Sequence, residues 1–383
     1  MLIAAGRVVT SETVHRPGWV EIDAGRVRAL GAGTPPRTPD RAYPEHTIVP
    51  GFVDIHVHGG GGSDYPDGDR GGALAARDAH RARGTTRTMA SLVTADRASL
   101  LAQVERLAPL VAAGELGGIH LEGPWLSQKR AGAHDVAQLR APDPAEIDAL
   151  LAAADGAIRM VTIAPELPGA LAAIERLVGA GVTVALGHTD ADYEQTRAAL
   201  AAGATVATHL FNAMPALHHR EPGPILALLE DSRVTVELIA DGTHLHPSLA
   251  RWIAERVGDE RVALVTDAMG AAACGDGDYR LGELAVEVRK GVAKLAGTET
   301  IAGSTVTMDV LFRIAAGAGS EAELRAAVRK TSTTPARAVG WADAGDLAPG
   351  LVADLVVLDP DLHVAAVFAV GQILGDAAAL NAR

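Results

Sequence analysis

The sequence predicts an α/β protein: a (β/α)8 barrel beside a small β-sandwich domain formed from both chain ends. Three observations carry this. From residue 50 onward, apolar strand-like runs alternate with Ala- and Leu-rich helical stretches, the pattern of repeated β-α units. Both ends of the chain read instead as short strands and turns. Metal-type and acid-base side chains recur at the ends of the strand runs, the rim where a barrel places its chemistry.

Taken in order, residues 1–49 contain two strand runs, 18–23 and 26–30, flanking the turn Ala24-Gly25, followed by a Pro-rich loop at 33–40. Eight barrel strands are predicted at 52–57, 86–91, 118–122, 158–163, 182–187, 205–210, 234–240 and 262–267. Helical stretches follow them, for example at 74–83, 99–113, 145–154, 170–179, 193–202 and 247–257. A barrel of this type needs ~250 residues, and residues 50–342 supply them. The rhythm breaks at about 275–303, where 279–288 and 292–295 read as a β insertion. Helix resumes at 307–316 and 321–330, and strands return at 354–358 and 364–374. Segments 1–49 and 343–383 are therefore assigned to one β-sandwich domain.

Composition narrows the function. The formal charge is −13, from 34 basic and 47 acidic residues, with no Lys/Arg block, so nucleic acid is not an expected partner. No apolar run is as long as a membrane span, so no membrane partner is expected either. The start lacks the charged and apolar regions of a signal peptide. Cys274 is the one cysteine and reads as incidental, and a reducing cytoplasm fits.

The chemistry lies at the strand ends. His56 and His58 sit two apart on a strand, so both imidazoles share a face and can hold one divalent metal. Glu122, His188 and His209 end three other strands and can supply three ligands to a metal while leaving room for water. Glu122 could bridge two ions, and Asp267 could bind the second or face the water. Asp267 is then the expected general base and, later, the acid to the leaving group.

Together these residues resemble the amidohydrolase superfamily and, within it, the N-acetylglucosamine-6-phosphate deacetylase family. The resemblance rests on Pro50-Gly51-Phe52-Val53-Asp54-Ile55-His56-Val57-His58-Gly59, His120-Leu121-Glu122-Gly123-Pro124-Trp125, Gly187-His188-Thr189 and Thr208-His209-Leu210-Phe211-Asn212-Ala213-Met214. It continues through Arg220-Glu221-Pro222-Gly223, Ile239-Ala240-Asp241-Gly242-Thr243-His244, Val265-Thr266-Asp267-Ala268 and Gly303-Ser304. It implies hydrolysis of N-acetyl-D-glucosamine 6-phosphate to D-glucosamine 6-phosphate and acetate, in amino sugar catabolism and cell-wall recycling. It implies one or two divalent ions per subunit, for which zinc, iron, manganese or cobalt suit the mixed N/O ligands. It assigns His134 to the acetamide carbonyl, Arg220 and His244 to the phosphate, and the Asn212-Ala213 backbone to the sugar phosphate. His219 could assist. A homodimer is also implied.

Two other readings have distinct signatures. An epimeric substrate, N-acetyl-D-galactosamine 6-phosphate, would barely alter these motifs. Cyclic-amide relatives carry a carboxylated lysine on the fourth strand, and 158–163 has no lysine. A barrel kept only for binding would have lost a ligand residue, and none is lost here.

Overall fold

A computed structural model describes residues 1–66 and 69–376, so the last part of the predicted 343–383 segment, 377–383, lies outside the described residues. Eight strands form the barrel: β1 (Phe52–Asp54), β2 (Thr85–Leu92), β3 (Gly118–Glu122), β4 (Ile158–Ile163), β5 (Thr183–Leu186), β6 (Val206–Ala207), β7 (Thr235–Leu238) and β8 (Val262–Leu264). Each pairs in parallel with the next in chain order. The ring closes just past its first and last strands. A parallel bridge joins Val57 to Ala268, and Asp267 N–H donates to the His56 carbonyl at 2.8 Å.

Several strands are shorter than predicted, and the reason is local. His188, His209 and Asp267 have positive φ, at 44°, 25° and 48°. A left-handed residue ends the ladder, so β5, β6 and β8 stop before the residues that carry chemistry.

Two apolar layers hold the barrel. Inside it, Val53, Ile55, Met89, Met160, Val206 and Val265 are fully buried. Trp341 packs with this inner cluster and approaches Gly117 so closely that a Cβ there would stand 2.6 Å from its ring. Gly117 immediately precedes β3, so Trp341 plugs the N-terminal mouth and leaves the C-terminal rim for chemistry. Outside, the helices pack on the strands, as where Phe52 stacks on Phe312 with centroids 5.2 Å apart. Acidic caps start several helices. Asp96 accepts from Ala98 and Ser99 N–H at the head of Arg97–Ala112, and Asp192 forms a capping box with Gln195.

The chain ends build one eight-stranded sheet. Its path runs Gln372–Asp376, Val364–Ala369, Leu355–Leu358, Arg41–Pro50, Leu2–Val9, Gly18–Asp23, Arg26–Ala32, with Val14–His15 paired to Leu2–Val9. The sheet curls on itself. A Cβ on Gly371, in the turn at one end of the path, would stand 3.2 Å from the Cα of Gly25, in the turn near the other. Ile3, Ile22, Ile48, Val357 and Phe368 fill the fold between.

Two predicted strands prove to be hairpins. Residues 364–374 divide at Val370 and Gly371, both with positive φ. The insertion divides at Gly282 (φ 54°), giving three antiparallel strands, Gly277–Leu281, Leu284–Arg289 and Val292–Leu295. In both places a strand-like apolar pattern runs through a turn glycine. No helix among the described residues is long and apolar enough to cross a membrane.

Candidate metal centre and substrate cavity

Five of the predicted residues meet around one carboxylate. Glu122, at the end of β3, turns Oε1 toward His209 Nε2 (3.0 Å), His188 Nε2 (3.2 Å) and His56 Nε2 (3.4 Å). Its Oε2 faces His58 Nε2 at 3.1 Å. Asp267 Oδ1 stands 3.1 Å from His58 Nε2 and 3.4 Å from His56 Nε2. All six side chains are buried.

The outer hydrogen bonds decide what the inner nitrogens are. His56 Nδ1 lies 3.0 Å from Glu237 Oε2, His58 Nδ1 3.1 Å from the Ser91 carbonyl, and His188 Nδ1 2.8 Å from the Arg130 carbonyl. Each acceptor is an oxygen, so each Nδ1 carries a proton. In the neutral rings Nε2 is then a bare lone pair aimed at the centre. Two such lone pairs face each other, on His56 and His58 at 3.2 Å, and His188 Nε2 faces His209 Nε2 at 3.1 Å. Converging lone pairs and carboxylates repel unless a cation lies between them. The donor set therefore fits a divalent metal, with Glu237 as the carboxylate that orients a ligating histidine.

Charge points the same way. Burial opposes ionisation of Glu122 and Asp267, but the imidazoles around them hold both well below the usual carboxylate range. Burial likewise opposes a charge on His58, and the facing Asp267 and Glu122 carboxylates still raise it to about 9. This is the negative potential a divalent ion would meet.

His134 is different. It lies 3.4 Å from Glu122 Oε2, as near as some ligands, but its Nδ1 accepts the Thr94 backbone N–H at 3.3 Å. The proton therefore sits on Nε2, which makes that nitrogen a donor and not a ligand. Burial, with the nearby His188, lowers its pKa to about 4, so the ring stays neutral.

Backbone detail locks this arrangement. The three left-handed residues His188, His209 and Asp267 each cost ~1–3 kcal/mol, a cost the surrounding contacts must offset. Around Asp267 those contacts come from Gly303-Ser304. Ser304 N–H donates to the Asp267 carbonyl at 2.7 Å, and the Ser304 hydroxyl donates to the Thr266 carbonyl at 2.5 Å. Gly303 has φ 62°, and a Cβ there would meet the Asp267 carbonyl oxygen at 2.8 Å.

A cavity of about 330 Å³ opens over the cluster. His134 lines one side, and Asn212, Ala213 and His244 line it as well. His244 Nδ1 donates to Asp241 Oδ2 at 2.8 Å. Arg220 and His219 do not line this cavity. They lie on an exposed loop, where the Arg220 guanidinium donates to His219 Nε2 at 2.8 Å. Of the predicted phosphate group, one chain brings only His244 and the Asn212-Ala213 segment to the site.

Sequence reasoning missed Glu237, Ser91 and Asp54. Asp54 accepts the Thr266 hydroxyl at 2.5 Å and joins the first strand to the eighth. Burial raises its pKa to about 7, against hydrogen bonds from Thr266 and His56. A signal was present at Glu237: it alternates with Val236 and Leu238, so it points to the opposite face, into the barrel.

With this geometry established, comparison with known proteins is decisive about family. Residues 47–375 match the Amidohydrolase family profile. This chain belongs to the amidohydrolase family. It is 39% identical over 350 residues to the N-acetylglucosamine-6-phosphate deacetylase of Homo sapiens, covering 86% of this chain and 84% of that one. It is 37% identical over 382 residues to the N-acetylgalactosamine-6-phosphate deacetylase of Escherichia coli O157:H7, covering 97% and 98%. Among solved structures it resembles the N-acetyl-D-glucosamine-6-phosphate deacetylase of Mycobacterium smegmatis, with a TM-score of 0.95 and 54% identity over 98% of this chain and 100% of that one. A D267A mutant of the Mycobacterium enzyme has been solved in complex with N-acetyl-D-glucosamine-6-phosphate. As an amidohydrolase, the chain has a buried His/Glu/Asp cluster suited to a metal.

Proposed function

We propose that this protein hydrolyses the acetamide of N-acetyl-D-glucosamine 6-phosphate, releasing acetate and D-glucosamine 6-phosphate. The observation that carries the reading is one cavity with three kinds of wall: the Glu122 cluster, an Nε2–H donor at His134, and His244 with the Asn212-Ala213 segment. The first suits a metal, the second a carbonyl oxygen, the third a phosphate. The 54% identity to the solved Mycobacterium smegmatis glucosamine enzyme supports the glucosamine epimer.

His56, His58, Glu122, His188, His209 and Asp267 would hold the metal. A divalent ion there supplies Lewis acidity, lowering the pKa of water toward ~7 and polarising a carbonyl oxygen. His134 donates to the acetamide oxygen and stabilises charge as it develops there. Asp267, kept ionised, accepts the proton of the attacking water and delivers it to the departing amine. Two ions per subunit is our reading, because the two oxygens of Glu122 face different histidines. Zinc, iron, manganese and cobalt all suit the donor set. We further propose a homodimer in which Arg220 and His219 reach the neighbouring protomer's phosphate site; their exposed position outside their own cavity supports this. We place the protein in the cytoplasm, since Cys274, its one cysteine, is free.

Acetate release from phosphorylated and unphosphorylated N-acetylglucosamine tests the reading. The phosphorylated sugar is expected to give a kcat/KM higher by ~100-fold or more, the scale of two charge-assisted hydrogen bonds. Equal values would remove the phosphate assignment.

The same subsite predicts a pH effect. Burial opposes the His244 charge, yet the Asp241 carboxylate outweighs burial, with help from Asp267, and raises its pKa above the ordinary value. The imidazolium is therefore held to higher pH than in an ordinary histidine and is lost as pH rises through that raised pKa. Phosphate is a dianion above ~6, so KM for the phosphorylated sugar is expected to climb on the alkaline side. His244→Asn should abolish this climb. An identical climb in the variant would place the titration elsewhere.

A further inference from the structure

His120 opens the motif His120-Leu121-Glu122-Gly123-Pro124-Trp125, yet the mechanism above makes no use of it. It precedes Glu122 by two positions on β3, so both side chains point into the barrel. Glu122 reaches the rim, and His120 lies one layer below it. Its ring is fully buried and packs edge-to-face with His56, the centroids 4.6 Å apart and the planes at 83°.

A line of hydrogen bonds crosses the barrel interior through this ring. Val57 N–H donates to Ser91 Oγ at 3.0 Å, Ser91 Oγ lies 2.9 Å from His120 Nδ1, and His120 Nε2 lies 2.8 Å from Thr162 Oγ1. Thr162 Oγ1 in turn lies 2.9 Å from Thr208 Oγ1. Gly187, just after β5, leaves room for that last bond: a Cβ there would stand 2.6 Å from the Thr208 Cβ and 3.1 Å from the Thr162 methyl. One end of the line fixes its direction. A backbone N–H can only donate, so Ser91 Oγ accepts from Val57 and turns its own hydrogen to His120 Nδ1. His120 then carries its proton on Nε2 and donates to Thr162. Both ring nitrogens are used, one as acceptor and one as donor.

The line grips one half of the candidate metal centre. Ser91 holds the segment His56-Val57-His58 at three points. Its Oγ takes the Val57 N–H, its N–H donates to the Val57 carbonyl at 2.9 Å, and its carbonyl takes the His58 Nδ1 proton. His120 in turn holds the Ser91 hydroxyl. The other half has different outer partners. His188 Nδ1 donates to the Arg130 carbonyl, and the His209 backbone N–H donates to Glu237. Thr208 adjoins His209, but it stands at the far end of the line from Ser91. The placement of His56 and His58 therefore depends on His120 in a way that the placement of His188 and His209 does not.

We propose that His120 is a positioning residue for the His56/His58 pair, acting through its bond to the Ser91 hydroxyl. Pinned at both nitrogens, the ring fixes that hydroxyl, and Ser91 fixes the segment that carries the two imidazoles. His120 thereby governs how well an ion is held by this half of the centre. The proposal rests on the two-ion reading given above and deepens it.

The test is zinc binding by the full chain after a chelator has stripped it, followed by equilibrium dialysis and metal analysis. Two binding steps are expected in the unaltered chain, and His58→Ala marks which step belongs to the pair. His120→Phe keeps a ring but has no nitrogen. It should weaken the pair's step by ~10–100-fold, the scale of losing an outer partner, and leave the other step unchanged. His120→Asn places an amide oxygen where Nδ1 accepts from Ser91, and should regain most of the loss. Ser91→Ala removes the hydroxyl itself and should reproduce the selective loss, which decides the matter even if His120→Phe fails to fold. Thr208→Val cuts the line at its far end and should leave the pair's step unaltered. Equal weakening of both steps in His120→Phe and Ser91→Ala, or no weakening, overturns the inference. So does a His120→Asn protein no better than His120→Phe, or a loss of the same size in Thr208→Val. A single binding step in the unaltered chain would show that the two-ion reading itself has failed, and the inference with it. Two steps without the selective loss would show that only the inference has.

Discussion

Asp267→Asn is expected to lower kcat by ~10²–10⁴-fold, the ordinary contribution of acid-base assistance. The amide has nearly the shape of the carboxylate, so the contacts that hold this position should survive. Ser304 N–H donates to the backbone carbonyl of Asp267, not to its side chain, and the bridge from His56 is also a backbone bond. Near-ultraviolet circular dichroism should therefore match the unaltered protein. What changes is the proton acceptor. The imidazoles hold Asp267 ionised against burial, and an amide in that place can neither accept the water proton nor return it. KM should move much less than kcat, since the cavity walls that hold sugar and phosphate are untouched. Turnover near normal would remove Asp267 from the mechanism.

Glu122→Gln should be still more damaging, because it removes the charge around which the site is built. Both oxygens of Glu122 face imidazole nitrogens at 3.0–3.4 Å. An amide offers one weak acceptor and places an NH₂ among nitrogens that should receive a cation. Loss of an outer partner costs 10–100-fold in metal affinity, so loss of this inner ligand is expected to exceed ~100-fold. Metal analysis after dialysis should show ion content collapsing, with activity falling to background in parallel. Retention of the full metal content would show that the histidines suffice, and that Glu122 serves only as a neighbour.

These two variants also show how differently residues are legible in a chain. Asp267 and Glu122 could be chosen from sequence because each ends an apolar run, and a charged residue at the rim of a barrel strand has few structural uses. His56 and His58 were readable for a related reason: strand geometry alone puts side chains two apart on one face. Glu237 went unread. It sits inside its strand, in a run dominated by Val234, Val236 and Leu238, and its partner His56 lies far away in the chain. His134 shows a further limit. Whether its Nε2 donates or ligates depends on a hydrogen bond from Thr94, 40 positions earlier, and no local pattern encodes that. Arg220 stands in a recognisable motif, yet one chain leaves it exposed on its loop and away from the cavity.

Strand lengths follow the same division. The apolar pattern marks where a strand can run, but the ladder ends where His188, His209 and Asp267 enter the left-handed region. That conformation is held by neighbours such as Ser304, which the insertion separates from Asp267 in sequence.

By itself the sequence determined the order of elements and the kinds of side chain at each strand end, because both depend on short-range pattern: period-two burial, helical spacing and turn chemistry. Only the tertiary structure decided which nitrogen of each histidine faces the centre, which carboxylate oxygen meets which ring, and that a line of hydrogen bonds through His120 runs beneath them. Those depend on ring closure, which brings His56 and Asp267 from opposite ends of the barrel sequence to within 3.4 Å. Hydrogen-bond direction and electrostatic repulsion act over such distances and no further, so they become definite only when the chain has closed.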